Sequence, residues 1–296
     1  MKTIENQPDR RGKGPGERTR KKRLIIPLFI PHSGCVHQCV FCNQTDITGR
    51  ASLPTVAEVG ETITAYLATW KGAGPREAAF YGGSFTGLDA PLQERLLGAV
   101  APFVAAGEID ALRVSTRPDM ISRDGVALLR RYRVKTVELG VQSMDDGVLR
   151  LSGRGHCAND TVRAVEELKR SGMTTGLQMV PGLPGDTAET IAATAREMVR
   201  LGPDFVRVYP TLVVRGTPLE TMYGRGDYRP WSLEAMTSVC RDVVALFGKA
   251  GIPVIRVGLQ PTAGLEESIV AGPYHPSFRQ LLEASEAEDR PAASGE

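Results

Sequence analysis

Residues 35–42 read CVHQCVFC. Cys35, Cys39 and Cys42 stand in C-x3-C-x2-C spacing, directly after an apolar run, Leu24–Ile30, that breaks at Pro31. Three thiols on a short loop at the end of a strand suit a soft metal or an iron–sulfur cluster. The number of thiols narrows the choice. A structural zinc site closes with four ligands, and a cubane cluster normally takes four cysteines. A loop that offers three leaves one metal position open to another ligand. His32 and His37 provide an alternative in which they complete a zinc site, and three inert reduced thiols are another.

The 296 residues are 42% hydrophobic and 24% charged, an ordinary globular composition. That length suits one α/β barrel. Five cysteines, three of them in one loop, argue against a disulfide framework. Cys157 and Cys240 read as structural. No apolar run reaches the roughly 18 residues of a membrane helix. No apolar stretch follows the N-terminal charges, so a cytoplasmic protein with no membrane partner is expected.

The net charge of +2 is unevenly placed. Residues 1–23 hold nine Lys or Arg against Glu5, Asp9 and Glu17, and so carry about +6 while the rest is near −4. With few apolar residues, 1–23 is expected to be a disordered basic arm. Such arms bind RNA by neutralising phosphates, or merely solubilise. Residues 281–296 read as a flexible acidic tail.

From Leu24 to about residue 280, short apolar runs alternate with amphipathic stretches. Strands are expected at Leu24–Ile30, Ala78–Tyr81, Ala111–Ser115, Thr136–Val141, Thr175–Val180, Phe205–Tyr209 and Pro253–Val257. Helices are expected at Val56–Trp70, Pro91–Ala105, Ser122–Arg131, Ala158–Ser171, Thr187–Leu201 and Leu233–Lys249. Asp186 with Glu189 reads as a capping box. The alternation predicts a parallel α/β sheet with right-handed crossovers. About six units fit a partial (β/α)6 TIM-like barrel, with the site at the C-terminal strand ends.

A motif follows each strand there. They are YGGSFTG at 81–87, STRPD at 115–119, ELGVQS at 138–143, SGRGH at 152–156 and QMVPGLPG at 178–185. Together with the cysteine loop and Phe41 before its last cysteine, this series resembles the radical S-adenosylmethionine (radical SAM) superfamily. It is most similar to oxygen-independent coproporphyrinogen oxidases and the catalytic subunit of Elongator. YPTLVVRGTPL, at 209–219, resembles the Elongator side. The likeness covers Leu24 to Phe278.

The resemblance implies a [4Fe–4S] cluster on Cys35, Cys39 and Cys42, with its open iron chelated by S-adenosylmethionine. Gly82 and Gly83 would meet the cofactor's amino group and Arg154 its carboxylate. Ser115 and Gln142 would face its ribose. Gln178 and Val180 would form an adenine slot, with Phe41 beside the cluster. Glu138 could instead pair with a core arginine, and Arg154 could form a helix-end salt bridge. Reductive cleavage would give a 5′-deoxyadenosyl radical, fed by an electron donor such as flavodoxin or ferredoxin. No residue is assigned as catalytic. Only about 36 residues follow Gln260, too few for Elongator's acetyltransferase domain. The substrate readings are tRNA or another RNA, a small metabolite or porphyrin-like molecule, or no reaction at all in an iron–sulfur or zinc RNA-binding module.

Overall fold

The computed structural model describes residues 23–43, 52–259 and 263–288. All of the expected arm except Arg23 lies outside them, as do residues 289–296 of the expected tail.

Seven parallel strands form one sheet. They are β1 (Leu24–Phe29), β2 (Arg76–Tyr81), β3 (Ala111–Thr116), β4 (Val134–Gln142), β5 (Thr174–Met179), β6 (Phe205–Val208) and β8 (Val254–Val257), in that order across the sheet. Strands β1 and β8 are its two edges, so the barrel is open. A separate antiparallel pair, β7 (Val213–Val214) with β9 (Ile269–Ala271), follows the sixth strand. The expected partial barrel is the fold, and all seven expected strands are present.

Side chains alternate across a strand. Ile26, Leu28, Ala78, Phe80, Leu112, Val114, Val137, Leu139, Leu177, Val206 and Val208 are buried in one core. The helices α1 (Val56–Thr69), α2 (Ala90–Ala105), α3 (Arg123–Arg131), α5 (Ala158–Arg170), α6 (Ala188–Leu201) and α8 (Leu233–Lys249) cover it. The alternate positions face the lumen. Register places Ser115 beside Glu138, Gly140 beside Gln178, Gln178 beside Arg207, and Arg207 beside Arg256. Apolar residues outside and polar residues inside are the sequence reason for a working lumen.

Helix starts follow local chemistry. Thr55 and Glu58 cap α1 reciprocally. The box expected from Asp186 and Glu189 is instead Thr187 with Thr190. Asp186 is drawn away because its carboxylate accepts from the Gly182 amide and the Thr190 hydroxyl. Four short helices complete the chain: α4 (Asp146–Leu151), α7 (Pro218–Arg225), α9 (Ala263–Ser268) and α10 (Phe278–Glu288). The last occupies the first part of the expected tail, because Phe278 and Leu282, one turn apart, bury in the core. Among the described residues no helix is long and apolar enough to cross a membrane.

Candidate active site

The loop from Pro31 to Cys42 leaves β1 at the C-terminal rim and is tied down on three sides. The His32 amide donates to Gly82 O at 3.2 Å and the Ser84 amide to Ser33 O at 2.9 Å. The Val40 amide donates to Ser152 O at 3.0 Å, and Val40 O accepts from Leu219 N at 2.8 Å. The loop is thereby clamped between the segment after β2, the SGRG turn and the start of α7.

Glycine makes the first clamp fit. A Cβ on Gly83 would stand 2.4 Å from both Ile30 O and Ser33 O. One on Gly34 would stand 2.1 Å from Ser84 O. Backbone packs on backbone with no room for a side chain, leaving the polar edges of both loops turned to the mouth.

The two outer walls hold two of the thiols. Cys35 Sγ lies 3.3 Å from Ser84 Oγ, and Cys39 Sγ takes a hydrogen bond from Arg154 Nη1 at 3.1 Å. Cys35 is exposed and Cys39 buried, and none of the five cysteines is in a disulfide. Among the described residues no three His, Cys, Asp or Glu stand close enough together to hold a metal ion. His32 and His37 therefore complete no such group. The donor set still fits a cluster site: three undisulfided thiols on one anchored loop, with local protein ligands for three positions. Gathering them requires Cys35 to leave Ser84 and Cys39 to leave Arg154. Cys240 is different in kind, since burial pushes its thiol up to about 12.

Across the mouth stand Gln142 and Arg154. Gln142 adopts φ 68°, the left-handed region, at a register shift between β4 and β5. A bulge there re-aims a side chain. Arg154 Nη2 donates to Gly140 O at 2.5 Å, and no helix-end salt bridge forms. Gln142 Oε1 and Arg154 Nε are both buried without a partner. The same holds for Arg117 Nη1, Ser152 Oγ, Thr161 Oγ1 and both ring nitrogens of His156. Buried polar atoms are ordinarily satisfied. A concentration of orphans on these neighbouring segments fits a polar ligand such as S-adenosylmethionine. Burial, reinforced by the Arg154 guanidinium, lowers His156 to about 4, so its ring is neutral at pH 7.

Phe41 and Val180 meet in one apolar cluster with Val148, Leu183 and Tyr209, a flat wall suited to a base. The loop behind it is pinned by Asp186 and by the Tyr228 hydroxyl, which donates to Gly182 O at 2.7 Å. Burial pushes Asp186 up to about 6 in spite of its hydrogen bonds. Ser115 and Gln178 lie half-buried on the lumen face, away from this wall.

Below the mouth is a network that the motifs did not reveal. The Tyr81 hydroxyl donates to Glu138 Oε1 at 2.9 Å, Arg113 Nη1 to the same oxygen at 2.7 Å, and Arg207 Nε to Glu138 Oε2 at 2.6 Å. Burial alone would raise the Glu138 pKa, but Arg207 and Arg113 hold it below the ordinary carboxylate range. Glu138 does pair with core arginines. Their positions inside apolar strands, as in FVRV and ALRV, were the available signal.

An open parallel barrel with a three-thiol loop after its first strand and an orphan-rich polar pocket beside it defines a cofactor-dependent α/β enzyme. The chain belongs to the radical SAM superfamily, whose profile matches residues 29–198, more than half its length. The radical SAM C-terminal domain profile matches residues 203–288. The chain is 36% identical over 132 residues to a tRNA uridine(34) acetyltransferase of Methanocaldococcus infernus, covering 44% of this chain and 25% of that protein. It is 33% identical over 184 residues to one of Dehalococcoides mccartyi, covering 58% and 38%. The chain thus spans a minor part of these relatives' length. Among solved structures, the archaeal Elp3 of Methanocaldococcus infernus superposes with TM-score 0.71 at 22% identity, over 90% of this chain and 63% of that one. Coproporphyrinogen III oxidase of Escherichia coli gives 0.56 at 18%, over 78% and 54%. At those identities the structural likeness is one of fold. Radical SAM enzymes use a [4Fe–4S] cluster and S-adenosylmethionine.

Proposed function

We propose that this radical SAM enzyme acts on RNA, with tRNA as the substrate class. The carrying observation is the 33–36% identity to two proteins named for tRNA uridine. The basic residues at 1–23 support it as a phosphate-binding arm ahead of a catalytic unit over 24–280. A cytoplasmic location accords with such a substrate.

In this reading Cys35, Cys39 and Cys42 hold the cluster, and its chemistry is one-electron cleavage of S-adenosylmethionine with hydrogen-atom abstraction from substrate. The chain's own residues bind and shield. Gly82 and Gly83 offer backbone to the amino group. Arg154 takes the carboxylate and Gln142 a ribose hydroxyl, while Phe41 and Val180 cover the base. Val36, 66% exposed between Cys35 and Cys39, lies where a flavodoxin or ferredoxin would approach. No general base is required, which agrees with the neutral His156.

A second reading, a small-molecule substrate, draws on the charge near −4 of residues 24–296. Anaerobic reconstitution with S-adenosylmethionine, dithionite and a tRNA transcript separates the two. The RNA reading expects tRNA to raise 5′-deoxyadenosine formation and to gain a mass change. Steady 5′-deoxyadenosine formation with neither effect favours the small molecule.

A further inference from the structure

The lumen wall carries more positive charge than its carboxylates balance. Glu138 is shared between Arg113 and Arg207. Glu77 is shared between Arg113 at 2.7 Å and Arg23 at 3.1 Å. On the edge strand β8, Arg256 is the in-register partner of Arg207, and like charges set opposite one another across a strand pair repel. The charges that act on Arg256 come from Arg207 and Arg279, with the hydroxyls of Tyr209 and Tyr81 as the polar neighbours. The Tyr209 hydroxyl is 3.3 Å from Arg207 Nη1. Arg207, Tyr209 and Arg256 are all half-buried. They are dry enough to strengthen electrostatics and open enough to admit a ligand.

We propose that Arg207, Arg256 and the Tyr209 hydroxyl form an anion recess that receives a phosphate or carboxylate group of the substrate. Guanidinium forks suit the planar, two-oxygen face that both groups present. Glu138 fixes Arg207 from behind, so the recess is built in advance of binding. Strands β6 and β8 lie at the opposite end of the sheet from β1, which leads into the cysteine loop. An anion held there anchors the substrate across the mouth from that loop. Where the group is a backbone phosphate, the assignment rests on the RNA reading above; the recess itself requires only an anionic substrate.

The test uses the full-length, anaerobically reconstituted protein and phenylglyoxal, which modifies arginine. Modification of Arg256 is followed by mass spectrometry with inorganic pyrophosphate, citrate or a transcribed tRNA anticodon stem-loop. Arg131, on the outer helix α3, is the internal reference. Pyrophosphate and the stem-loop are each expected to slow modification of Arg256 by about threefold or more while leaving Arg131 unchanged. Arg256→Lys should keep most of the thermal stabilisation by pyrophosphate, and Arg256→Gln should lose it. Protection by pyrophosphate and citrate with none from the stem-loop supports the recess and counts against the tRNA reading. If no probe protects Arg256, the recess is refuted, whatever tRNA does elsewhere on the protein.

Discussion

Arg154 reaches back across the mouth to Cys39, its Nη1 3.1 Å from the buried Sγ. One guanidinium therefore touches the expected cluster loop and, through Nη2, the β4 carbonyl of Gly140. Its Nε is left with no partner, a donor available to a carboxylate.

Arg154→Ala removes that donor and Gln142→Ala an acceptor of the same pocket. Each should weaken S-adenosylmethionine binding by about 1.5–3 kcal/mol for the charged bond and less for the amide. Iron content should hold in Gln142→Ala. Anaerobic calorimetry on the reconstituted variants measures both. Unchanged affinity in the pair would remove these residues from the pocket.

Cys39→Ala should abolish the iron–sulfur absorbance, and Cys240→Ala should leave it intact. The first thiol sits on the anchored loop; the second is sealed in the core with its proton held on by burial. Iron analysis after anaerobic reconstitution decides. Full iron in Cys39→Ala would overturn the ligand assignment.

Glu138→Gln keeps the shape of the lumen network but deprives Arg113 and Arg207 of their shared carboxylate. Removing one partner of a buried ion pair costs about 3–5 kcal/mol. Denaturant melts should show the loss, and a change below about 1 kcal/mol would mean the network is far better solvated than its burial implies.

Much of this was legible in the chain. The seven strands announced themselves as apolar runs, and the motifs fell at their ends because loops there need glycine and polar groups. Three things were not legible, each for a physical reason. Strands β7 and β9 are two and three residues long, too short to show alternation. Helix α10 looked like a tail because its polar residues outnumber the Phe278 and Leu282 that bury it. The Arg113–Glu138–Arg207 network joins strands far apart in sequence, and pairing of that range leaves no local spacing to read. Conversely, the cysteine spacing gave a ligand set but not the contacts to Ser84 and Arg154 that hold two of its thiols apart.

His156 predicts a pH effect. Its folded pKa, about 4, lies below the ordinary 6.5 because of burial and Arg154. The unfolded chain therefore takes up a proton first as pH falls, and the stability this group supplies above pH 6.5 is lost as pH drops toward 4. The loss amounts to about 3 kcal/mol. Asp186, raised to about 6, runs the other way, because its folded form binds the proton more tightly. Subtracting the stability profile of His156→Gln from that of the parent between pH 7 and 4 isolates the histidine. A flat difference would show that the ring is hydrated and not buried neutral.

The last prediction concerns the arm. Residues 1–23 carry about +6, yet Arg23 belongs to the barrel, paired with Glu77 at 3.1 Å. A truncation should therefore begin at Arg23, so that the Glu77–Arg113 pair keeps its third member. If the arm supplies the phosphate contacts, RNA affinity of the full chain falls steeply with salt, since each neutralised phosphate releases counterions. Removing residues 1–22 takes away eight of the nine cations. Affinity for a tRNA transcript should then drop about tenfold or more at moderate salt, and the slope of log affinity against log salt should flatten by several units. Iron content and S-adenosylmethionine binding should be retained, because every residue assigned to the cofactors lies downstream. Filter binding across a salt series reads affinity and slope together. Equal affinities and slopes for the two proteins would reduce the arm to a solubilising segment and leave RNA recognition, if any, to the barrel mouth.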